Sequence, residues 1–430
     1  MKQFYLYCLV LFVCCSCIKE RSTINNSAPT EIISEILQKK SSVRSFNEAQ
    51  DWATKSISLI EDGATKTSLH VRNIASWNVL TCTNTKSDSN DCDTLLYVFN
   101  FENNQGFSII AADSSENPIL VVAEKGQYIP GEPTGNEAFD AYMEALSARL
   151  SDRLNNRGDP ELYYWYEYET VGEVINRQVG VRWGQGDIYG KYCPNQVSGC
   201  VATAMAQIMA YHKRPHTFIT TVEMSIDNVI DYAIGDTVSL YWTGIKNHTV
   251  THAGTWSCTP YHNNIGALLR EIGDRVNMTY YSNGTSGAYT SDVPQAFSYF
   301  GYTTSSPTTF SVSSAKDAIK NYGPIYMSGC RTDSLGELHG HAWVVDGYKD
   351  YLYYRYRYER AINEGDPPIM TQQTLMYEEH SFHINWGWDG NCNGYFNFGV
   401  FDVESANTYD YSHTITGRNY DYFLQMITVY

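Results

Sequence analysis

The sequence predicts an α+β protein in two parts: a small leading module of helices and a β-meander, then a larger domain joining a helical part to antiparallel strands. Three observations predict it. Residues 200–212 form a nearly unbroken apolar run, rich in Ala and Met and free of Gly and Pro, which reads as a helix buried on all sides. Gly340 to Tyr348 and Phe382 to Gly390 are short apolar runs ended by Gly-containing turns, which read as strands. Between Thr94 and Val122, the strand runs Leu95–Phe101, Phe107–Ala112 and Ile119–Val122 are separated by Asn103-Asn104-Gln105-Gly106 and by Asn117-Pro118. A chain of 430 residues has room for two or three domains of roughly 100–200 residues each, and 43% hydrophobic residues can build real cores.

In chain order, Met1-Lys2-Gln3 and the apolar run Phe4 to Cys15 make a charged start and a hydrophobic stretch too short to span a bilayer. That is the pattern of a secretory signal over residues 1–17. Ser16-Cys17, followed by polar Ile18-Lys19-Glu20, is similar to the end of a bacterial lipoprotein signal. It predicts an exported protein, either secreted or tethered to the cell surface or outer membrane through Cys17. Residues 18–30 read as a tether, and Thr30–Leu37 and Ser45–Ile60 as helices, the second opened by a Ser45–Glu48 capping box. Ala138–Leu150 reads as a further helix, stopped by the breakers from Asn155 to Pro160. The boundary between the module (18–165) and the larger domain (166–430) falls just beyond them. Within the larger domain, Ala315–Tyr322 reads as a helix and Ile325–Ser328 as a strand. Tyr351–Glu359 reads as a two-sided strand, and residues 349–380 as an inserted hairpin or flap around Glu364–Pro368.

The charge balance excludes some functions. Lys plus Arg is 30 against 47 Asp plus Glu, a net −17, so nucleic acid and anionic membrane surfaces are poor partners. There is no P-loop, dinucleotide-binding glycine pattern or HExxH motif. The pairs His339/His341 and His380/His383 have no Cys or carboxylate at the usual ligand spacing, so neither a metal nor another cofactor is expected.

The chemistry gathers on three residues. Gly199 frees the backbone for a sharp turn, and Cys200 follows at the first turn of the buried helix. There, unpaired N–H groups and the helix dipole favour a thiolate. A packed, inert Cys is the competing reading, since free Cys is among the most buried residue types. What tips the balance is His341 on a strand and Asn385 after another strand, the order of parts in papain-like thiol enzymes.

Gly199-Cys200-Val201-Ala202-Thr203-Ala204, Gln207 and His212, then Gly340-His341-Ala342 with Asp346-Gly347, then Asn385-Trp386-Gly387-Trp388, closely resemble the streptopain family of papain-fold cysteine peptidases. Trp183-Gly184-Gln185-Gly186, about fifteen residues before the Cys, extends the match. The resemblance implies a papain-like fold and peptide-bond hydrolysis through a Cys200–His341 thiolate–imidazolium pair. It assigns Asn385 to orient the imidazole, Trp386 or Trp388 to shield that contact, and Gln185 with the Cys200 N–H to bind the oxyanion. It also implies substrate contacts at Ser286, Gly287 and Gly340, and a taste for a hydrophobic residue second from the scissile bond. The leading module resembles the inhibitory propeptide of such zymogens, which implies a latent precursor whose own prosegment is an intramolecular partner. The expected mode is a prosegment packed over the cleft, released by a cut between Arg157 and Arg177.

Seven of the eleven cysteines lie beyond the signal. With Cys200 free, Cys82 and Cys92 remain to pair in the module, and Cys193, Cys258, Cys330 and Cys392 to pair in one of three ways. Two rivals remain: another acyl transfer, such as an amidase or transglutaminase-type reaction, and a catalytically silent protease-binding protein. An intact set of Cys200, His341, Asn385 and Gln185 speaks against the second.

Overall fold

The computed structural model describes residues 43–60, 72–83, 92–113, 116–155, 165–248, 260–332, 338–359, 369–397 and 422–430. The signal, the tether, the first expected helix, Cys258, residues 156–164 and the tip around Glu364–Pro368 lie outside these. Among the described residues, no helix is long and apolar enough to cross a membrane.

The leading module opens with helix α1, Phe46–Ile60. The capping box forms as expected: the Ser45 N–H donates to Glu48 Oε2 at 2.8 Å, and the Glu48 N–H returns to Ser45 Oγ at 3.3 Å. A meander follows: β1 (Ile74–Thr83), β2 (Cys92–Phe101), β3 (Phe107–Ala111) and β4 (Ile119–Ala123). The turn expected at Asn103–Gly106 is there, with Asn103 and Asn104 in the left-handed region at φ 56° and 57°. Helix α2, Glu137–Asn155, outruns its expected bounds at both ends. It buries Phe139, Tyr142, Leu146 and Leu150, spaced to share one face.

In the larger domain, strand β5 covers Trp165–Ile175 and helix α3 covers Cys200–His212, the expected span. Helix α4, Pro260–Arg275, has no counterpart in the sequence reading. The remaining sheet consists of β6 (Ile325–Thr332), β7 (Leu338–Glu359), β8 (Ile369–Asn385), β9 (Gly394–Asn397) and β10 (Tyr422–Ile427). The expected insertion is thus a long β7–β8 hairpin.

Two corrections concern this region. Asp346-Gly347 is no turn: β7 runs straight through it, with its register against β8 slipping between Val345 and Gly347. There β7 exchanges neighbours, β6 along 338–345 and β5 along 348–357. A Cβ on Gly347 would lie 2.8 Å from Arg177 N and Ile175 O, so only glycine lets that backbone pass. The second concerns the disulfides, none of which forms among the described cysteines. Cys82, Cys193, Cys330 and Cys392 are free thiols. In register, Cys82 lies opposite Asp93.

One sheet unites both parts. Its strand order is β1-β2-β3-β4-β9-β8-β7-β6-β10, closed by Thr308–Thr309, with β5 attached to β7. Alternation along β7 divides the interior: Ala342 and Val344 face a core built on α3 and α4, whereas Trp343 and Val345 join a core with Trp386, Phe396 and α2. Of the leading module, α2 packs on the Trp343 face, opposite α3, whereas Ala49 and Ala53 of α1 cluster with Val122 and Tyr395 on the other face.

Candidate active site

Cys200 opens α3 because Gly199, at φ 85°, makes a turn that other residues resist. A side chain could not fit there in any case, since a Cβ would come within 2.9 Å of Met278 Cε and 3.1 Å of Ser286 Cβ. The residues from Val201 to Ala210 are all buried, so the helix start is fixed from behind. The half-buried Cys200 thiol meets the backbone N–H groups of Val201, of Cys200 itself and of Ala342. The last is the residue after His341, so the start of α3 and the start of β7 meet at the sulfur.

His341 is buried, and its Nε2 lies 3.0 Å from the carbonyl oxygen of Trp386. A carbonyl only accepts, so Nε2 carries the proton and the neutral ring has Nδ1 as its base. This corrects the role expected for Asn385, whose Nδ2 donates to Val181 O at 2.9 Å and whose Oδ1 accepts from Gly387 N at 3.3 Å. Leaving β8 as its last residue, Asn385 points at the Val181–Gln185 segment, and the next backbone carbonyl reaches the imidazole instead. The rings of Trp343, Trp386 and Trp388 lie 6.1, 6.4 and 6.4 Å from that of His341.

Gln185 is half-buried and held close to the thiol through its backbone, whose carbonyl accepts from Ser198 N at 2.8 Å. Two residues that sequence reasoning passed over fix the same segment. Thr203 Oγ1 donates to Gly184 O at 3.3 Å, and Gln207 Nε2 donates to Trp183 O at 3.2 Å. Both are fully buried in an otherwise apolar helix. Two buried polar residues four apart were the available signal, since such groups demand partners. Ser286 sits against Gly199 with its hydroxyl donating to Val197 O at 2.9 Å, and Gly287 pairs with Thr279. Gly340 is exposed and lies opposite Cys330. The structure thus brings Gln185, Ser286 and Gly340 towards the thiol and its histidine, and turns Asn385 to another task.

The electrostatics bear on the expected thiolate–imidazolium pair. Burial pushes the Cys200 thiol up, against the pull of its three N–H neighbours, and holds His341 down at about 4 against the Trp386 carbonyl. Both shifts favour the uncharged forms while the site stays buried, desolvation opposing the helix terminus.

The sequence matches the Peptidase C10 family over residues 183–396 and the Spi protease inhibitor family over residues 34–150. Streptopain of Streptococcus pyogenes is 24% identical over 348 residues, spanning 73% of this chain and 76% of its own. The thiol protease/hemagglutinin PrtT of Porphyromonas gingivalis is 22% identical over 354 residues, spanning 74% of this chain and 35% of its own. Among solved structures, a prointerpain A fragment of Prevotella intermedia aligns with a TM-score of 0.46 at 19% identity, covering 81% of this chain and 98% of its own. The nucleophile motif and the histidine strand fall within the first matched region and most of the leading module within the second, and the chain belongs to the Peptidase C10 family of streptopain-like cysteine peptidases.

Proposed function

We propose that this chain is an exported cysteine endopeptidase made as a latent precursor, with Cys200 as nucleophile and His341 as its acid–base partner. The supporting observation is the meeting of the two element starts, which sets the thiol against the backbone beside a histidine whose tautomer the Trp386 carbonyl fixes. In the reaction, His341 Nδ1 takes the thiol proton and sulfur attacks the peptide carbonyl carbon. The oxyanion is met by the Gln185 side chain and the Cys200 N–H. The imidazolium then gives its proton to the leaving amine as the C–N bond breaks, leaving a thioester. Water, deprotonated by the same imidazole, cleaves the thioester and restores the thiol. Ser286, Gly287 and Gly340 border the path of the substrate chain.

Residues 18–165 act as the prodomain and 166–430 as the peptidase. The pairing of β5 with β7 favours a cut before Trp165, which would leave that strand in place. Latency fits the neutral pair: with Trp386 packed on Phe396, and Phe396 on Phe139 and Tyr142 of the prodomain, the imidazole sits in a dry apolar setting. Loosening that packing would admit water and lower the cost of the charged pair. Residues 1–17 direct export, with Cys17 as the site of a lipid anchor. The test compares peptide hydrolysis, and epoxide labelling at Cys200, between the uncut precursor and a form starting near residue 165. Hydrolysis and labelling should appear on processing and vanish in Cys200→Ala. Equal hydrolysis by both forms, with the precursor shown uncut by mass spectrometry, would end the zymogen reading. Absence of labelling in the processed form would end the peptidase reading of Cys200.

A further inference from the structure

The leading module also extends the sheet of the larger domain. Strand β4 pairs antiparallel with β9: Ala123 opposite Gly394, Val122 opposite Tyr395, Val121 opposite Phe396. The other edge of β9 belongs to β8. One residue past the paired strand, Glu124 enters a pocket formed by the other half of the molecule. Its carboxylate is buried, with Oε2 bonded to Arg177 Nη1 and lying 2.5 Å from Arg182 Nη2, and with Oε1 3.7 Å from His383 Nε2. On its far side, His383 Nδ1 lies 2.5 Å from Asp346 Oδ1. The Glu124 N–H donates to the Asn393 carbonyl at 2.9 Å, which continues the strand pairing up to the carboxylate.

This arrangement is more than a seam between packed halves. A buried carboxylate needs compensation, and here all three cationic groups come from the side of the linker opposite to Glu124 itself. Without Glu124, Arg177, Arg182 and a protonated His383 would converge with Asp346 as the remaining acid of the cluster. The neighbouring edge of β9 would present unpaired N–H and C=O groups. Main-chain pairing gives binding energy with little sequence preference, whereas the carboxylate pocket sets the register, since a slip of one residue would turn Glu124 to the opposite face.

We propose that the edge of β9 and the Arg177–Arg182–His383 pocket form a docking site for one extended strand followed by a carboxylate, filled in cis by β4 and Glu124, and that this site keeps the prodomain bound after the linker is cut. The proposal rests on the zymogen reading above and names the contact that holds the two halves together. Cleavage alone would then leave a nicked complex, and activity would require a second event that empties the pocket.

The experiment uses the full chain carrying Cys200→Ala, with a recognition sequence for an unrelated protease placed within residues 157–163. After the cut, the halves should co-elute at micromolar concentration, and the amides of residues 394–397 should stay protected from hydrogen exchange. Glu124→Gln or Arg182→Ala should weaken association about 30-fold or more, the usual consequence of truncating a buried charge pair, and should expose those amides. Uncut variants are melted first; if Glu124→Gln fails to fold, Arg182→Ala, at a half-exposed position, decides. Wild-type halves that part on cutting, or variants that bind as tightly as wild type, would overturn the proposal. The readout is association, so it stands apart from the hydrolysis comparison: equal hydrolysis ends latency and leaves docking untouched, and the reverse also holds.

Discussion

Two buried histidines lie on neighbouring strands of one sheet, and their surroundings drive their basicity in opposite directions. His341 on β7 faces a carbonyl and three tryptophan rings, and burial brings it down to about 4. His383 on β8 faces Asp346 and Glu124, which raise it to about 9 despite equal burial. Burial penalises both imidazolium ions alike, so the partners decide: two carboxylates outweigh desolvation, and one carbonyl does not. The lesson is a division of labour. The neutral histidine remains available for proton transfer at working pH, while the charged one is committed to structure, tying the two halves of the precursor together.

The sharpest way to break this comparison is to delete each ring. His341→Ala should lower processed peptidase activity by about four orders of magnitude while costing the precursor only about 1–3 kcal/mol, chiefly for the Trp386 carbonyl it strands. His383→Ala should do the reverse, costing about 3–5 kcal/mol of precursor stability because Glu124 and Asp346 lose their shared cation. Denaturant melts and peptide hydrolysis on both variants check this, and equal stability losses would erase the distinction.

Next in size is Gln185→Ala. It should cut kcat by about 10²–10³-fold with Cys200 labelling retained, because the amide acts on the oxyanion and not on the resting thiol. Joint loss of turnover and labelling, with circular dichroism native, would give Gln185 a different job. Asn385→Ala should cost about 1–3 kcal/mol of stability by stranding the Val181 carbonyl. It should leave the pH dependence of kcat/KM in place, since the Trp386 carbonyl, not this amide, meets His341. A displaced acid limb would restore Asn385 as the orienting residue.

Legibility in the sequence follows the kind of signal each feature leaves. Helix α3 was readable to the residue because a thirteen-residue apolar run with Gly199 before it admits few alternatives. The α1 cap was readable because its chemistry is local. Asp346-Gly347 misled because its glycine serves the approach of β5, a strand remote in sequence, and looks like a turn residue in isolation. Asn385 misled for a related reason: the acceptor of His341 is a backbone carbonyl, which every residue has and no side-chain pattern announces. Glu124 left no mark, since its three cationic partners are scattered over Arg177 to His383 and only the β4–β9 pairing assembles them.

A further effect is expected on the pH dependence of precursor stability. The charged groups around His383 are Glu124, Asp346, Arg177 and Arg182, with Lys349 over the Tyr395 ring that His383 also contacts. His383, raised from 6.5 to about 9, contributes stability in full below 6.5 and loses it as pH climbs through 9. Glu124, lowered from 4.5 to about 2, contributes above 4.5 and loses it as pH falls through 2. His341, lowered from 6.5 to about 4, favours the fold above 6.5 and loses that as pH falls through 4. Together these place the maximum near pH 6.5. Calorimetry from pH 4 to 9 should show it, and His383→Gln should flatten the alkaline limb.

The most direct test of the neutral pair is alkylation of Cys200 by iodoacetamide against pH, read by mass spectrometry in the uncut chain. Burial without ion pairing predicts one rate step above about pH 8.5, the ordinary thiol value, and a step that moves below it once the prodomain is gone. A step well below that value in the uncut chain would mean that the thiolate already exists in the precursor, and would contradict the account.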